Sequence, residues 1–211
     1  MASRPKQAQP RAVPRFYLVT PPVSEPAAFT SELMRVIEAA DVAAVLLRLA
    51  DADERTLINH VKDVAPSVQD RGIALIIEGR PEIVARSGAD GSHLDGIETF
   101  SAAIKTLKPD RIAGAGGLGT RHEAMVAAES GADYVLFGST EEAANIERVA
   151  WCAEVLELPC VAFARSEAEV APLVEAGADF IALGYVWRER SRAAELLAAA
   201  AHYMRLPERA S

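Results

Sequence analysis

The stretch Gly131-Ala132-Asp133-Tyr134-Val135-Leu136-Phe137-Gly138 indicates how this chain of 211 residues folds. The triplet Gly-Ala-Asp also occurs at Gly88-Ala89-Asp90 and at Gly177-Ala178-Asp179, so the copies begin 43 and 46 residues apart. A glycine that closes a helix can adopt the left-handed conformation that turns the chain back. An apolar run after such a turn is typical of a strand buried on both faces of a parallel sheet. The triplets therefore predict repeated helix–strand units.

Eight strand–helix pairs are predicted within one domain over residues 15–205. The strands are expected at residues 15–20, 42–49, 73–77, 91–94, 111–115, 134–137, 160–164 and 180–186. The helices are expected at residues 27–40, 53–69, 81–87, 97–107, 120–130, 143–156, 166–176 and 191–204, with Ser166 as the N-cap of the seventh. Short connections and right-handed crossovers favour an α/β fold of the (β/α)8 TIM-barrel type. An open doubly wound sheet fits less well, because Thr20-Pro21-Pro22-Val23 is unlike a glycine-rich first turn.

Composition and charge exclude several classes of partner. The net charge is −8 and no basic face stands out, so we expect no nucleic acid partner. No apolar stretch approaches the roughly 18 residues that span a bilayer, and no signal peptide is recognisable, so we expect no membrane partner. Cys152 and Cys160 fit reduced core thiols of a cytoplasmic protein. Residues 1–14 lack periodicity and predict a disordered N-terminal arm.

Candidate site residues are sought where the predicted strands end, because barrels of this type place their functional groups there. Arg48 lies in an otherwise apolar strand and needs a partner. That partner is either a phosphate or carboxylate of a ligand, or a rim carboxylate such as Glu78. His93 points into the barrel, where it is either a hydrogen-bonded core histidine or a group that contacts substrate.

Three carboxylates are expected to converge on one sector of the rim: Glu78, Asp95 and Glu98. Hard oxygen ligands of this kind suit Mg²⁺, especially when a diphosphate supplies further oxygens. The alternative is a solvated acidic rim that pairs with Arg48 and Arg80. Both interpretations stay open from the sequence.

Two further segments are candidates for binding an anion. The segment 114–119 contains four glycines, and its N–H groups either cradle an anion or belong to a flexible loop. Arg165 lies between the seventh strand and the seventh helix, where many barrels hold a phosphate. Its alternative is an exposed residue at the start of a helix.

Several motifs resemble the thiamine phosphate synthase family over about residues 15–200. They are Ile76-Ile77-Glu78-Gly79-Arg80-Pro81-Glu82-Ile83, Ser87-Gly88-Ala89-Asp90-Gly91-Ser92-His93-Leu94, Tyr17-Leu18-Val19-Thr20 and Leu47-Arg48. The resemblance implies a (β/α)8 barrel that joins an aminopyrimidine diphosphate to a thiazole phosphate. The products are thiamine phosphate and pyrophosphate, and the reaction is assisted by Mg²⁺.

The family's motif residues are only partly present. Of its strand-two pattern Gln-x-Arg-x-Lys, this chain keeps Arg48 and has Leu46 and Ala50 instead of Gln and Lys. The Asn-Asp pair after strand three is Glu78-Gly79 here. Glu98 matches the second metal carboxylate. The remaining motifs are replaced by Gly116-Gly117-Leu118-Gly119 after strand five, by Ser139-Thr140-Glu141-Glu142 without lysine after strand six, and by Ala164-Arg165-Ser166 after strand seven.

The sequence thus predicts a rim that binds a phosphorylated small molecule. Arg48 and Arg80 are the expected catalytic residues, and Glu78 and Glu98 the expected Mg²⁺ ligands. The expected phosphate- or substrate-binding residues are His93, Gly116, Gly117, Ser139, Arg165 and Gly184. Two other hypotheses stay open: a non-catalytic regulatory or assembly barrel, for example a homodimer, and an enzyme acting on another sugar phosphate.

Overall fold

A computed structural model describes residues 12–204, in which eight parallel strands close into a barrel in sequence order. The strands are β1 Arg15–Val19, β2 Val42–Leu47, β3 Ala74–Glu78, β4 Gly91–Asp95, β5 Ile112–Gly116, β6 Tyr134–Phe137, β7 Cys160–Ala164 and β8 Phe180–Leu183. The helices are α1 Pro26–Ile37, α2 Glu54–Gln69, α3 Val84–Ser87, α4 Ile97–Leu107, α5 Arg121–Glu129, α6 Glu142–Val155, α7 Val170–Ala176 and α8 Ala193–Ala201. The (β/α)8 prediction is confirmed.

The boundaries differ from the prediction mainly after β7 and β8. Strand β8 ends at Leu183, because a 3-10 segment, Tyr185–Arg192, follows Gly184, and α8 starts only at Ala193. The prediction of Ser166 as a helix N-cap is wrong, since its side chain makes no capping hydrogen bond and a 3-10 turn, Glu167–Glu169, comes first. Residues 1–11 of the predicted arm lie outside the described residues, and residues 12–14 form neither helix nor strand.

The aspartates of the three Gly-Ala-Asp triplets fasten neighbouring strands together at the N-terminal end of the barrel, which we call the floor. The Asp133 carboxylate accepts the N–H of Ala113 at 2.7 Å, while the Asp133 N–H donates to the Ala113 carbonyl at 2.9 Å. Asp90 forms the same pair of bonds with Leu75, and Asp179 forms it with Cys160. We call each such two-bond pairing a floor clamp.

The glycines of the triplets make the clamps possible. Gly88, Gly131 and Gly177 have φ angles of 83°, 97° and 99°, in the left-handed region that favours glycine. Each glycine ends a helix and turns the chain directly into the next strand. At the β1–β2 junction the clamp is built differently, because the side chain of Arg15 donates to the Asp41 carboxylate at 2.9 Å.

Alternate strand residues fill the inside of the barrel. They form a cluster separate from the larger core that lies between the strands and the helices. The interior cluster consists of Tyr17, Ala44, Leu46, Ile76, Tyr134, Val161 and Ala182. Gly114 faces the Tyr134 ring so closely that a Cβ atom there would overlap it. Cys152 and Cys160 are buried thiols of the outer core, as predicted. Within residues 12–204, the helices are too short or too polar to cross a membrane.

Candidate functional site

A cleft of about 230 Å³ opens at the C-terminal rim between the ends of β1, β2, β7 and β8. Three arginines line it: Arg48, Arg165 and Arg188. The other lining residues are Val19, Thr20, Pro21, Phe163, Gly184, Tyr185 and Trp187. The cleft therefore brings together Arg48, Arg165 and Gly184, which the sequence had predicted as site residues from three separate strands.

Arg48 forms an ion pair with Glu78 on the neighbouring strand. Its Nε donates to both Glu78 carboxylate oxygens, at 3.1 and 3.0 Å, and its backbone N–H donates to the Thr20 hydroxyl at 3.0 Å. Both charged side chains are about two-fifths exposed, at 39% and 40%. Of the two interpretations of Arg48, the structure shows the pairing with a rim carboxylate. The Arg48 side chain still lines the cleft.

Arg165 bridges the loops that follow β6 and β7. Its Nε donates to Glu169 at 3.0 Å and its Nη1 donates to the Thr140 carbonyl at 2.6 Å. The Glu169 carboxylate is buried and also accepts the Arg165 N–H at 2.8 Å. In the same β6 loop, the Ser139 hydroxyl accepts the N–H of Glu141 at 3.1 Å. Arg165 is thus held in a fixed position at the edge of the cleft.

Arg80 is not one of the residues that line this cleft. Its backbone has a left-handed φ of 54°, and its side chain is half exposed and contacts Asp51 at 3.4 Å. Arg80 therefore pairs with a carboxylate that is not one of the cleft residues, and its catalytic role stays a prediction.

His93 lies inside the barrel, where it is 3% exposed. Its Nδ1 is 3.0 Å from the Tyr134 hydroxyl, and the two rings are stacked with an interplanar angle of 5°. Its Nε2 faces Oδ1 of Asp95 at 3.6 Å. The side chain is hydrogen-bonded on the barrel side and reaches the rim only through Asp95.

Asp95 is the rim carboxylate next to His93. The contact with His93 holds the pKa of Asp95 below its usual value, and the charge of Arg48 acts in the same direction. Gly116 leaves room for both groups, since a Cβ atom there would lie 2.8 Å from Asp95 Oδ1 and overlap His93 Nε2. The adjacent Gly117 has a φ of 61°.

The glycine-rich segment after β5 already binds a carboxylate of the protein itself. The N–H groups of Gly119 and Thr120 both donate to Glu123, at 2.6 and 2.9 Å, in a capping box that starts α5. These two donors are therefore engaged. Gly116 and Gly117 stay predicted ligand contacts.

The predicted Mg²⁺ ligands do not form a ready-made cation site. Both oxygens of Glu78 accept from Arg48, and Glu98 lies exposed in the first turn of α4. Among residues 12–204 there is no cluster of three or more His, Cys, Asp or Glu that could hold a metal ion. Glu78 and Glu98 as a metal pair stay a prediction, and the chemistry proposed below uses only side chains of the chain.

Three cleft residues follow β8 directly: Tyr185, Trp187 and Arg188. The Tyr185 hydroxyl and the Trp187 Nε1 are buried and have no hydrogen-bond partner within the described part of the chain. Burial raises the pKa of Tyr185 to about 12. Arg188 was not predicted, because the last strand was expected to continue to residue 186. The three arginines within residues 188–192 were the available signal.

Comparison with known proteins connects this barrel to one family. The family described as thiamine monophosphate synthase matches residues 16–186. A thiamine-phosphate synthase of Rhodospirillum centenum is 44% identical over 184 residues, which cover 82% of this chain and 89% of that protein. A thiamine-phosphate synthase of Hyphomonas neptunium is 38% identical over 196 residues, covering 85% of this chain and 89% of that protein.

A solved structure agrees with the fold. The thiamine phosphate pyrophosphorylase from Pyrococcus furiosus superimposes with a TM-score of 0.76 at 19% identity, covering 90% of this chain and 95% of that one. At this identity the likeness supports the barrel alone, while the sequence matches extend across almost all of its strands. The chain belongs to the thiamine monophosphate synthase family.

Proposed function

We propose that the rim cleft binds the phosphate group of a small phosphorylated molecule, and that the chain carries out the condensation characteristic of its family. The observation that carries this proposal is the meeting of Arg48, Arg165 and Arg188 around one cleft in a chain whose net charge is −8. Three guanidinium groups gathered in an acidic protein favour an anionic ligand locally. A volume of about 230 Å³ is below the roughly 300–1,000 Å³ of typical ligand pockets, so the cleft suits one end of a small metabolite, such as its phosphate group.

Arginine is well suited to phosphate, because its planar guanidinium donates two parallel hydrogen bonds to adjacent oxygens. Arg188 forms no ion pair with a carboxylate among residues 12–204, whereas Arg48 and Arg165 do. Arg188 is therefore the first cation available to an incoming phosphate. Arg48 and Arg165 can then also contact the phosphate while they remain paired with Glu78 and Glu169.

In the condensation, the bond from the pyrimidine methylene to the diphosphate breaks as the bond to the thiazole forms. Negative charge develops on the departing diphosphate, and positively charged groups that face it lower the barrier. In this chain those groups are arginines, since the lysines of the family pattern are absent from strand β2 and from the loop after β6. Arg165 bridges the loops that follow β6 and β7 and is the proposed contact to the leaving group.

A second candidate function is a non-catalytic barrel that regulates or assembles with a partner, for which a homodimer is the simplest form. The pairing of Arg48 with Glu78 and of Arg165 with Glu169 favours it, because both cations are already neutralised. Glu141 and Glu142 add negative charge after β6. An enzyme acting on another sugar phosphate is less favoured, since Tyr185 and Trp187 occupy part of the rim.

Titration calorimetry and product analysis test these candidates. The purified chain is titrated with pyrophosphate, the aminopyrimidine diphosphate and the thiazole phosphate, each with Mg²⁺, and the two substrates are then incubated together. Thiamine phosphate detected by chromatography supports the synthase. Binding heat without product supports a phosphate-binding barrel that lacks the activity. The absence of both binding heat and product at millimolar ligand would overturn the proposal and favour the second candidate.

A further inference from the structure

Four polar side chains from three strands form a line along the barrel axis. The Tyr17 and Tyr134 hydroxyls lie 2.7 Å apart, and the Tyr134 hydroxyl lies 3.0 Å from Nδ1 of His93. On the other side of the imidazole, Nε2 faces Asp95 Oδ1 at 3.6 Å. The line thus runs from the middle of the barrel, starting at β1 and β6, to the rim at the end of β4.

The barrel is shaped around this line. Tyr17, Tyr134 and His93 are 3%, 6% and 3% exposed, so water has little access to their hydrogen bonds. Gly114 leaves the space that the Tyr134 ring fills, and Gly116 leaves the space beside His93 and Asp95. The stacked arrangement of His93 and Tyr134 further restricts how the imidazole can turn. Any larger residue at either glycine would displace a member of the line.

The carboxylate favours one direction of the hydrogen bonds. Ionised Asp95 can only accept, so the nitrogen facing it, Nε2, carries the proton. In a neutral imidazole Nδ1 is then an acceptor, and it must accept a hydrogen bond from the Tyr134 hydroxyl. Tyr134 in turn accepts from Tyr17. Burial raises the pKa of both tyrosines, which keeps both hydroxyl protons in place.

The opposite direction is electrostatically unfavourable. If His93 donated from Nδ1 to Tyr134, the lone pair on Nε2 would point at the Asp95 carboxylate. Two acceptors would then face each other at 3.6 Å beside a buried ring. Only one direction satisfies all four groups.

We propose that Tyr134, supported by Tyr17, is a positioning residue that acts together with Asp95. Tyr134 donates to Nδ1 and the Asp95 carboxylate faces Nε2, so the two together hold His93 as the Nε2–H tautomer and orient the carboxylate at the rim. With Oδ1 facing Nε2 of His93 at 3.6 Å, the other oxygen of Asp95 can accept a hydrogen bond from an N–H or O–H group of the ligand. The orientation follows from the barrel alone, whereas its use in binding rests on the function proposed above. Asp95 is a new specificity-determining residue in this scheme.

Nitrogen NMR of the chain labelled with ¹⁵N-histidine tests the tautomer without any ligand. The chain has four histidines, and H93Q identifies the signals of His93. At about pH 8 we expect an unprotonated Nδ1 and a protonated Nε2. Y134F should convert this single tautomer into a mixture. Y17F should keep it, because Tyr134 still donates, and Y203F, at an exposed tyrosine, is the matched control.

Several results would overturn the proposal. They are a proton on Nδ1 of His93 in the wild type, protons on both nitrogens at about pH 8, or a Y134F spectrum identical to that of the wild type. If Y134F does not fold, the wild-type and Y17F spectra still decide the tautomer. In the active enzyme, Y134F should lower turnover on the order of tenfold, as when the partner of an oriented ligand group is removed, with H93Q at least as impaired. If Y134F loses turnover but keeps the wild-type tautomer of His93, Tyr134 does not act by positioning His93. If the chain shows the predicted tautomer but binds no phosphate, only the proposed function is rejected.

Discussion

Asp133 and Ala113 are joined by two hydrogen bonds, one through the aspartate carboxylate and one through its backbone N–H, at 2.7 and 2.9 Å. The same pairing recurs between Asp90 and Leu75 and between Asp179 and Cys160. The carboxylate satisfies a strand N–H at the start of the strand, where the neighbouring strand has not yet begun. The floor clamps therefore explain why an aspartate, a poor strand former, stands immediately before these strands.

Removing one clamp should destabilise the barrel. Asp179→Ala leaves the N–H of buried Cys160 without its acceptor, and we expect a loss of about 1–3 kcal/mol in the free energy of unfolding. Asp179→Asn keeps an oxygen acceptor and should lose less. Urea denaturation measures both, with the exposed Asp63→Ala on α2 as the control. Equal stability of Asp179→Ala and Asp63→Ala would contradict the role of the clamp.

A methyl group at Gly114 should be poorly tolerated. The added Cβ would overlap the buried Tyr134 ring, and overpacking of this kind costs about 1–3 kcal/mol. Gly184→Ala is the matched control, because its Cβ would lie 3.5 Å from Phe163, an ordinary contact. Its effect should stay below about 1 kcal/mol. Thermal unfolding of the two variants compares them directly, and a fully stable G114A would show that the interior is packed more loosely than described.

Arg188 should contribute strongly to the binding of phosphate. Arg188→Ala removes a cleft guanidinium that no described carboxylate neutralises, so we expect pyrophosphate affinity to fall about tenfold, corresponding to roughly 1.4 kcal/mol. Arg71→Ala removes the same charge from a guanidinium paired with Glu38, outside the rim cleft, and should change the affinity little. Calorimetry at fixed salt separates the two. A similar loss of pyrophosphate affinity in both variants would mean that binding depends only on the net charge of the chain.

Asp95 should make the free energy of unfolding depend on pH. Its pKa is lowered in the folded chain, so its contribution is present above the unfolded carboxyl pKa of about 3.9 and is lost as the pH falls through the folded pKa. The side chain is 71% exposed, which limits the contribution to about 1 kcal/mol or less. The wild type should exceed D95N in stability near pH 7, and the difference should shrink as the pH falls below about 3.9. A difference that grows toward acid would contradict the contact with His93.

The order of the elements was predictable because helix and strand periodicities are local. Each apolar run had to be buried on both faces, and eight such runs joined by helices leave a closed barrel as the simplest arrangement. The end of β8 was misplaced because Tyr185, Val186 and Trp187 are good strand residues, yet the chain leaves the barrel at Gly184. Local propensity was overridden there by the packing of Trp187 against Phe29 on α1.

The site was only partly predictable because its contacts join distant parts of the chain. Position at a strand end was enough to predict that Arg48 and Arg165 lie at the rim. It could not decide between a ligand and Glu78 as the partner of Arg48, since that depends on side-chain geometry. The contact of Tyr17 with Tyr134, 117 residues apart, is invisible to any local pattern.

The floor clamps also divide the barrel into pairs of strands. Asp90 joins β3 to β4, Asp133 joins β5 to β6, and Asp179 joins β7 to β8, while Arg15 and Asp41 join β1 to β2. A backbone break between α4 and β5 would leave every clamp within one fragment, whereas a break between α5 and β6 would sever one. The most natural point for dividing this molecule into two complementing halves is therefore the connection between Leu107 and Ile112.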